Sequence, residues 1–228
     1  ALGIGKNDEV ITPTFTYIAT ANSANYVGAK VKFIDSKISS WQIDEDQILK
    51  SITPKTRAII IPHIYGQSCE MNKIKKICRK KKLFLVEDCA EAFGSYYKKK
   101  HVGTFGDIST FSFFGSKTIT TGEGGMVVTD NLKLAKKVIE LKMVGNDKDK
   151  HYWHNIIGYN YRMTNICSAI GYGQLSRAKT IIKKKRNIFN IYKKNLQNLP
   201  LFLHEEQMGT THSYWVISIR LKNFKVRD

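Results

Sequence analysis

Short apolar runs alternate with amphipathic stretches over roughly the first 145 residues. Runs at residues 9–12, 31–35, 58–62, 83–87, 108–113 and 125–129 predict buried strands, bounded by turn residues such as Gly28 and the Ile-Thr-Pro at 52–54. Between them, residues 20–27, 44–51, 71–82 and 132–144 carry helical periodicity. Strands alternating with helices predict an α/β fold, a three-layer sandwich around a mostly parallel sheet. Ligands in such sheets sit beyond the carboxyl ends of the strands, so candidate chemistry is sought there. After Gly145 the pattern changes. A polar segment leads into the aromatic stretch HYWHNIIGYNYRM, then a long helix is expected from about 164 to 199. Residues 212–221 alternate like one strand of a second, smaller domain. The expected organisation is a large α/β domain over 1–150, an aromatic segment with a connecting helix over 151–200, and the start of a small domain over 201–228.

The chain has 228 residues, with 42% apolar and 25% charged positions, which suffices for a sizeable core and excludes a disordered chain. No run approaches eighteen apolar residues, so no transmembrane helix is expected. Residue 1 is not Met and ALGIG reads like the end of a helix, so the expectation is a fragment, truncated at both ends. The net charge of +18 raises a nucleic-acid-binding module as one reading. Its make-up, 30 Lys and seven Arg with the Lys concentrated in predicted helices, argues for solubility instead, because nucleic-acid readers favour Arg forks and interleaved aromatics. Cys69, Cys78, Cys89 and Cys167 have no metal-type spacing and read as buried thiols of a reducing cytoplasm. No metal is expected.

Lys117 is the most informative residue. From His101 to Leu132 it is the single Lys, with no Arg, between an apolar strand ending FSFFG and a glycine turn at 122–125. A lone Lys in apolar surroundings becomes a usable amine nucleophile, although a loop Lys whose stem packs while its amine reaches water has the same local sequence. Asp88 falls at the carboxyl end of the strand at 83–87, where a carboxylate needs a cation or several N–H donors, or else caps a following helix. Ser112 and two hydroxyl-rich patches, Thr12, Thr14 and Thr16 and then Thr118, Thr120 and Thr121, suggest a phosphate cradle made of hydroxyls and backbone N–H groups. Tyr17 suits stacking on an aromatic cofactor face, or the core.

An amine, a strand-end carboxylate and hydroxyls near a glycine turn describe a site for pyridoxal 5'-phosphate. The stretches NDEVITPTFTYIATAN, ITPKTRAIIIPHIYGQ, VEDCAEAFGSYY, GTFGDISTFSFFGSKTITTGEGGMVVT and GYNYRMTNICSAIGYGQL occur in order along the chain. Through them the chain resembles the DegT/DnrJ/EryC1/StrS sugar aminotransferases, and most their perosamine synthase branch, which aminates a GDP-linked 4-keto-6-deoxy sugar. The resemblance implies the fold of pyridoxal-phosphate-dependent transferases of fold type I. It implies that Lys117 binds the cofactor covalently, that Asp88 faces the pyridine nitrogen, that Ser112 meets the phosphate and that Tyr17 stacks on the ring. Glu91 stands where Gln or His is common near the cofactor's 3-oxygen, which requires it to be protonated or compensated. Asn160, with Arg162 as its rival, reaches the cofactor phosphate of a partner subunit.

The implied function is transfer of an amino group from glutamate to a nucleotide-linked keto sugar for surface polysaccharide, such as lipopolysaccharide O-antigen. The implied assembly is a cytoplasmic homodimer with a shared active site and no nucleic-acid or membrane partner. Alternatives are a UDP- or dTDP-keto sugar as substrate and a non-catalytic homologue. Relatives that are dehydratases carry His at the lysine position, so Lys117 favours the aminotransferase.

Overall fold

The structure, a computed structural model, describes residues 1–147 and 149–222. Six strands form the main sheet: β1 (Glu9–Pro13), β2 (Lys30–Ile34), β3 (Thr56–Pro62), β4 (Phe84–Asp88), β7 (Ile108–Ser112) and β8 (Gly125–Val128). They lie in the order β2-β1-β3-β4-β7-β8, all parallel except β8, which runs antiparallel at the edge. The helices between them are α1 (Ile18–Asn25), α2 (Glu45–Ser51), α3 (Met71–Lys81) and α4 (Leu132–Lys142), with a single 3-10 turn at Ile64–Gly66.

The continuous apolar runs are explained by burial on both faces of the sheet. Successive residues of a strand point to opposite sides. Val10, Ala58, Ile60 and Phe84 pack with Ala24 of α1, whereas Ile11, Ile59, Ile61 and Leu85 pack with Ile48 of α2 and Met71, Ile74 and Ile77 of α3. Three layers result. Each fully buried Ile or Met contributes about 1.5–3 kcal/mol relative to exposure. Helix starts follow the local chemistry: Asp44 accepts from Asp46 N before α2, and Asn131 accepts from Lys133 N and Leu134 N before α4. Helix α3 stops at Lys82, whose φ of 55° ends the α conformation.

A short hairpin, β5 (Tyr96–Tyr97) and β6 (Lys100–His101), follows β4 and turns through Lys98 and Lys99, both at positive φ. The long helix α5 (Asn165–Leu196) begins at the N-cap Thr164, whose hydroxyl accepts from Cys167 N. Beyond it lie β9 (Leu201–Leu203), β10 (Thr210–Thr211) and β11 (Ile219–Leu221). Strand β10 pairs with β5, and β11 with β9.

The alternation over 212–221 does not form one strand; only Ile219–Leu221 is extended and paired. His212, Ser213 and Tyr214 are buried consecutively, and each side chain has a partner, the His212 and Tyr214 rings also stacking on each other. His212 meets His204, Ser213 Oγ lies 2.9 Å from Ser95 Oγ, and the Tyr214 ring stacks on Phe189 of α5. Cys69, Cys78 and Cys89 are buried free thiols as expected, while Cys167 is half-exposed in the first turn of α5. Among the described residues no helix is long and apolar enough to cross a membrane.

Candidate active site

The parallel strands end on one cavity of 730 Å³. Asp88 is the last residue of β4 and Ser112 the last of β7, so both side chains reach it from carboxyl ends, as does Pro62 of β3. Thr16 and Tyr17, in the turn between β1 and α1, form its near wall, and Glu91, Lys117, Gly124 and Trp215 complete it. The location is the switch point of the sheet, where connections leave β1 and β3 in opposite directions.

Asp88 is held on three sides. Its Oδ2 accepts from the Thr20 hydroxyl at 2.8 Å, its Oδ1 from Ala90 N at 3.1 Å, and its carbonyl from His63 N at 3.0 Å. No helix follows it, so its carboxylate faces the cavity and caps only a turn. Thr20 is oriented in turn by the Thr16 hydroxyl, 2.8 Å away.

The preceding residue, Glu87, points to the other face and is fully buried. Its carboxylate accepts from the backbone N–H groups of Gly103, Phe105 and Gly106 and lies 3.1 Å from His63 Nε2. His63 Nδ1 accepts from Cys69 N, which leaves the ring proton on Nε2, directed at Glu87. Burial by itself pushes the Glu87 carboxyl up, but His63 and the Gly103 and Gly106 N–H groups outweigh it and hold the group below the usual carboxylate range. Glu87, His63 and Cys89 are close enough to suggest a metal site. The Glu87 oxygens are already committed to four donors, so the cluster is a polar strut beneath Asp88.

Glu91 Oε2 accepts from Tyr65 N at 2.8 Å, at a residue whose φ of 58° is left-handed. Burial pushes the Glu91 carboxyl above its usual range, opposed by the Tyr65 N–H and the charge of Lys117. Lys117 follows a turn closed by Lys117 N donating to Phe114 O at 2.9 Å. Its Nζ lies 4.1 Å from the centre of the Trp215 ring. Tyr17 is 72% exposed at the mouth, with its ring free to cover a planar ligand.

Of the residues expected at the site, Lys117, Asp88, Ser112, Glu91, Tyr17 and Thr16 line the one cavity. Five of the six threonines proposed as a cradle do not. Thr12 is buried in the sheet with its hydroxyl unpartnered, as is that of Thr118. Thr120 and Thr121 donate to carbonyls of their own loop, Phe113 and Glu123. Thr14 lies outside the cavity as well. Asn160 forms a β-bridge with Met143, and neither it nor the exposed Arg162 lines the cavity of its own chain. Thr20, His63 and Trp215 were not foreseen. Thr20 is one of several small polar residues in α1, and Trp215 lies 98 residues beyond Lys117 in a stretch that reads as a strand, so neither carries a local signal.

An amine and a fixed carboxylate facing one concave space, with strand-end and loop hydroxyls and an exposed aromatic at the mouth, fit a planar cationic ring bearing a phosphate. This is the chemistry of a pyridoxal-phosphate site. The chain belongs to the DegT/DnrJ/EryC1/StrS aminotransferase family, whose sequence pattern matches residues 1–228. It is 52% identical to GDP-perosamine synthase of Escherichia coli O157:H7 over 228 residues, covering all of this chain and 62% of that protein. GDP-perosamine synthase of Vibrio cholerae is 49% identical over 221 residues, 97% of this chain and 60% of that protein. Among solved structures, the PLP-form of Spr1654 from Streptococcus pneumoniae superimposes with a TM-score of 0.92 at 26% identity, covering 97% of this chain and 62% of that one. The chain thus spans about three fifths of the length of the curated relatives it matches.

Proposed function

We propose that this protein transfers an amino group from glutamate to a nucleotide-linked 4-keto-6-deoxy sugar, in the manner of a GDP-perosamine synthase. The observation that carries the reading is the Lys117 amine and the Asp88 carboxylate lining one cavity at the strand ends; the identity to GDP-perosamine synthases over the whole chain supports the sugar.

Bound pyridoxal phosphate supplies an electron-withdrawing ring that allows a proton to leave the carbon bearing the transferred nitrogen. Asp88, oriented by Thr20 and Ala90 N–H, would hold a proton on the ring nitrogen through charge-assisted hydrogen bonding. Lys117 is the base that removes the proton and the acid that returns it; its stem is long enough to serve both positions. Tyr17 covers the ring, Ser112 meets the phosphate, and Glu91 lies toward the 3-oxygen.

The partner is a second copy of this chain, and the setting is the cytoplasm. Supporting the dimer, apolar residues stand open along the aromatic segment and the start of α5: Tyr152 at 86%, Ile157 at 90% and Tyr172 at 82% exposure. Asn160, in the same segment, reaches the phosphate of the partner's cofactor.

The test is the visible absorption of the full-length protein with pyridoxal phosphate. A yellow band that bleaches with glutamate and returns with the keto sugar is expected. Lys117→Ala is expected to bind cofactor without covalent attachment and to lose turnover by about 10²–10⁴-fold or more. No band in the parent protein, or full turnover in the variant, overturns the reading.

A further inference from the structure

Trp215 is held from four directions. Its N–H donates to Tyr65 O at 3.1 Å, and its carbonyl accepts from Lys185 Nζ of α5 at 3.0 Å. Its indole Nε1–H donates to Ser116 O at 2.8 Å, and its ring centre lies 4.1 Å from Lys117 Nζ. The neighbouring backbone is equally constrained. Ser213 N donates to Gly66 O at 3.2 Å, and Gly66 has a φ of 101° and room for no side chain, since a Cβ there would come within 2.4 Å of Ser213 Oγ. The indole is therefore placed by the fold and does not merely rest on the lysine.

Two of these contacts fall on consecutive residues, the carbonyl of Ser116 and the amine of Lys117. One side chain thus holds both the loop that carries the lysine and the lysine's reactive end. The ring contact is selective for charge, because an aromatic face attracts an ammonium through its quadrupole and has little hold on a neutral amine. A long, flexible lysine stem otherwise samples many rotamers once its nitrogen is free.

We propose that Trp215 is a positioning residue that parks the free, protonated amine of Lys117 beside the cofactor site while it is not bonded there, and anchors its loop through Ser116. The inference rests on the aminotransferase reading above. The charged groups sharing the cavity are Asp88 from β4 and Glu91 from the turn after it, with Lys185 of α5 on the far side of Trp215. None of them is altered by substitution at 215, so a change in the titration of Lys117 reports the ring.

The experiment uses the full-length protein freed of cofactor. Trace acetylation across a pH series, with the Lys117 peptide quantified by mass spectrometry, reads the protonation midpoint of that amine. Trp215→Met, which fills similar space without a ring, is expected to lower the midpoint by about 0.5–1 pH unit. Trp215→Phe keeps the ring face and is expected to stay near the parent midpoint. Trp215→Met is also expected to regain the visible band about tenfold more slowly when pyridoxal phosphate is added back, through poorer placement of the amine.

An unmoved midpoint in folded Trp215→Met overturns the proposal, including the outcome in which only the KM for the sugar changes. Should that variant fail to fold, tryptophan emission of the parent protein decides. A pH transition that Lys117→Met abolishes supports the contact, and no such transition overturns it. Failure of the parent protein to bind pyridoxal phosphate would sink the aminotransferase reading, whereas an unmoved midpoint with normal cofactor binding sinks this inference alone.

Discussion

Thr20 donates its hydroxyl proton to Asp88 across 68 residues of sequence, in a hydrogen bond of 2.8 Å. The bond ties the first turn of α1 to the end of β4, and it is one of two that hold the carboxylate oriented toward the cavity. Hydrogen bonds to charged groups contribute about 1.5–3 kcal/mol. Thr20→Val is therefore expected to weaken cofactor binding by about tenfold, and Thr20→Ser to preserve it. Fluorescence titration with pyridoxal phosphate measures both.

Glu87 is a structural counterpart one residue away. Its removal leaves the buried Gly103 N–H, the half-buried Phe105 and Gly106 N–H groups and the His63 ring N–H without an acceptor. Glu87→Ala is expected to cost about 3 kcal/mol or more of stability, since each buried donor left without an acceptor costs about 1–3 kcal/mol, and Glu87→Gln less, since an amide oxygen still accepts. Urea denaturation followed by circular dichroism gives the comparison.

Glu91 predicts a pH dependence. Burial raises its carboxyl in the folded protein, so between the ordinary carboxylate value and the raised one the native state binds more protons than the unfolded chain. Stability contributed by this group therefore falls as pH rises through that window. Glu91→Gln cannot ionise and is expected to flatten that part of the profile. Melting temperature recorded against pH, with and without the substitution, tests the slope.

His204 and His212 predict the opposite slope. His212 Nδ1 accepts from Tyr214 N, its Nε2 lies 3.5 Å from His204 Nδ1, and His204 Nε2 lies 2.8 Å from Ser40 O. The order of donors and acceptors requires both rings neutral. Burial lowers both from the ordinary 6.5, and for His212 the neighbouring His204 and Arg186 add to it. The unfolded chain takes up protons first, so stability is lost as pH falls below about 6.5. His204→Gln is expected to make that loss shallower, by at most about 1.4 kcal/mol per pH unit, the slope of one proton. The same pH-dependent melts reveal it.

The six main strands and the five helices were legible from apolar runs and helical spacing, most clearly where burial is regular. Strands such as β3 are covered on both faces and read as unbroken apolar runs, and α3 presents Met71, Ile74, Ile77 and Cys78 on one side. Where burial follows no period, the pattern misled. His212, Ser213 and Tyr214 are buried in a row against His204, Ser95 and Phe189, so their alternation with later residues is accidental. The β5–β6 hairpin carries no Gly or Pro signal, because its turn is made by Lys98 and Lys99 at positive φ. At the site, residues flanking strand ends were readable, Lys117, Asp88 and Ser112 among them, since sheet geometry dictates where strand ends lead. Thr20 and Trp215 were not, because their roles depend on long-range packing. Thr120 and Thr121 lie off the cavity for a related reason: a hydroxyl near a site is often spent on its own backbone.

The cavity has one further consequence, which concerns synthesis. Its first wall is Thr16 and its last is Trp215, about 200 residues later. At about 5–20 residues per second, some 10–40 s separate the appearance of these two walls as the protein is made. The α/β sheet has time to assemble during that interval, with its carboxyl-end cleft still open on one side. Closure of the pocket by Trp215 then comes late, so a nascent chain that has already formed its sheet still lacks the indole over its reactive lysine.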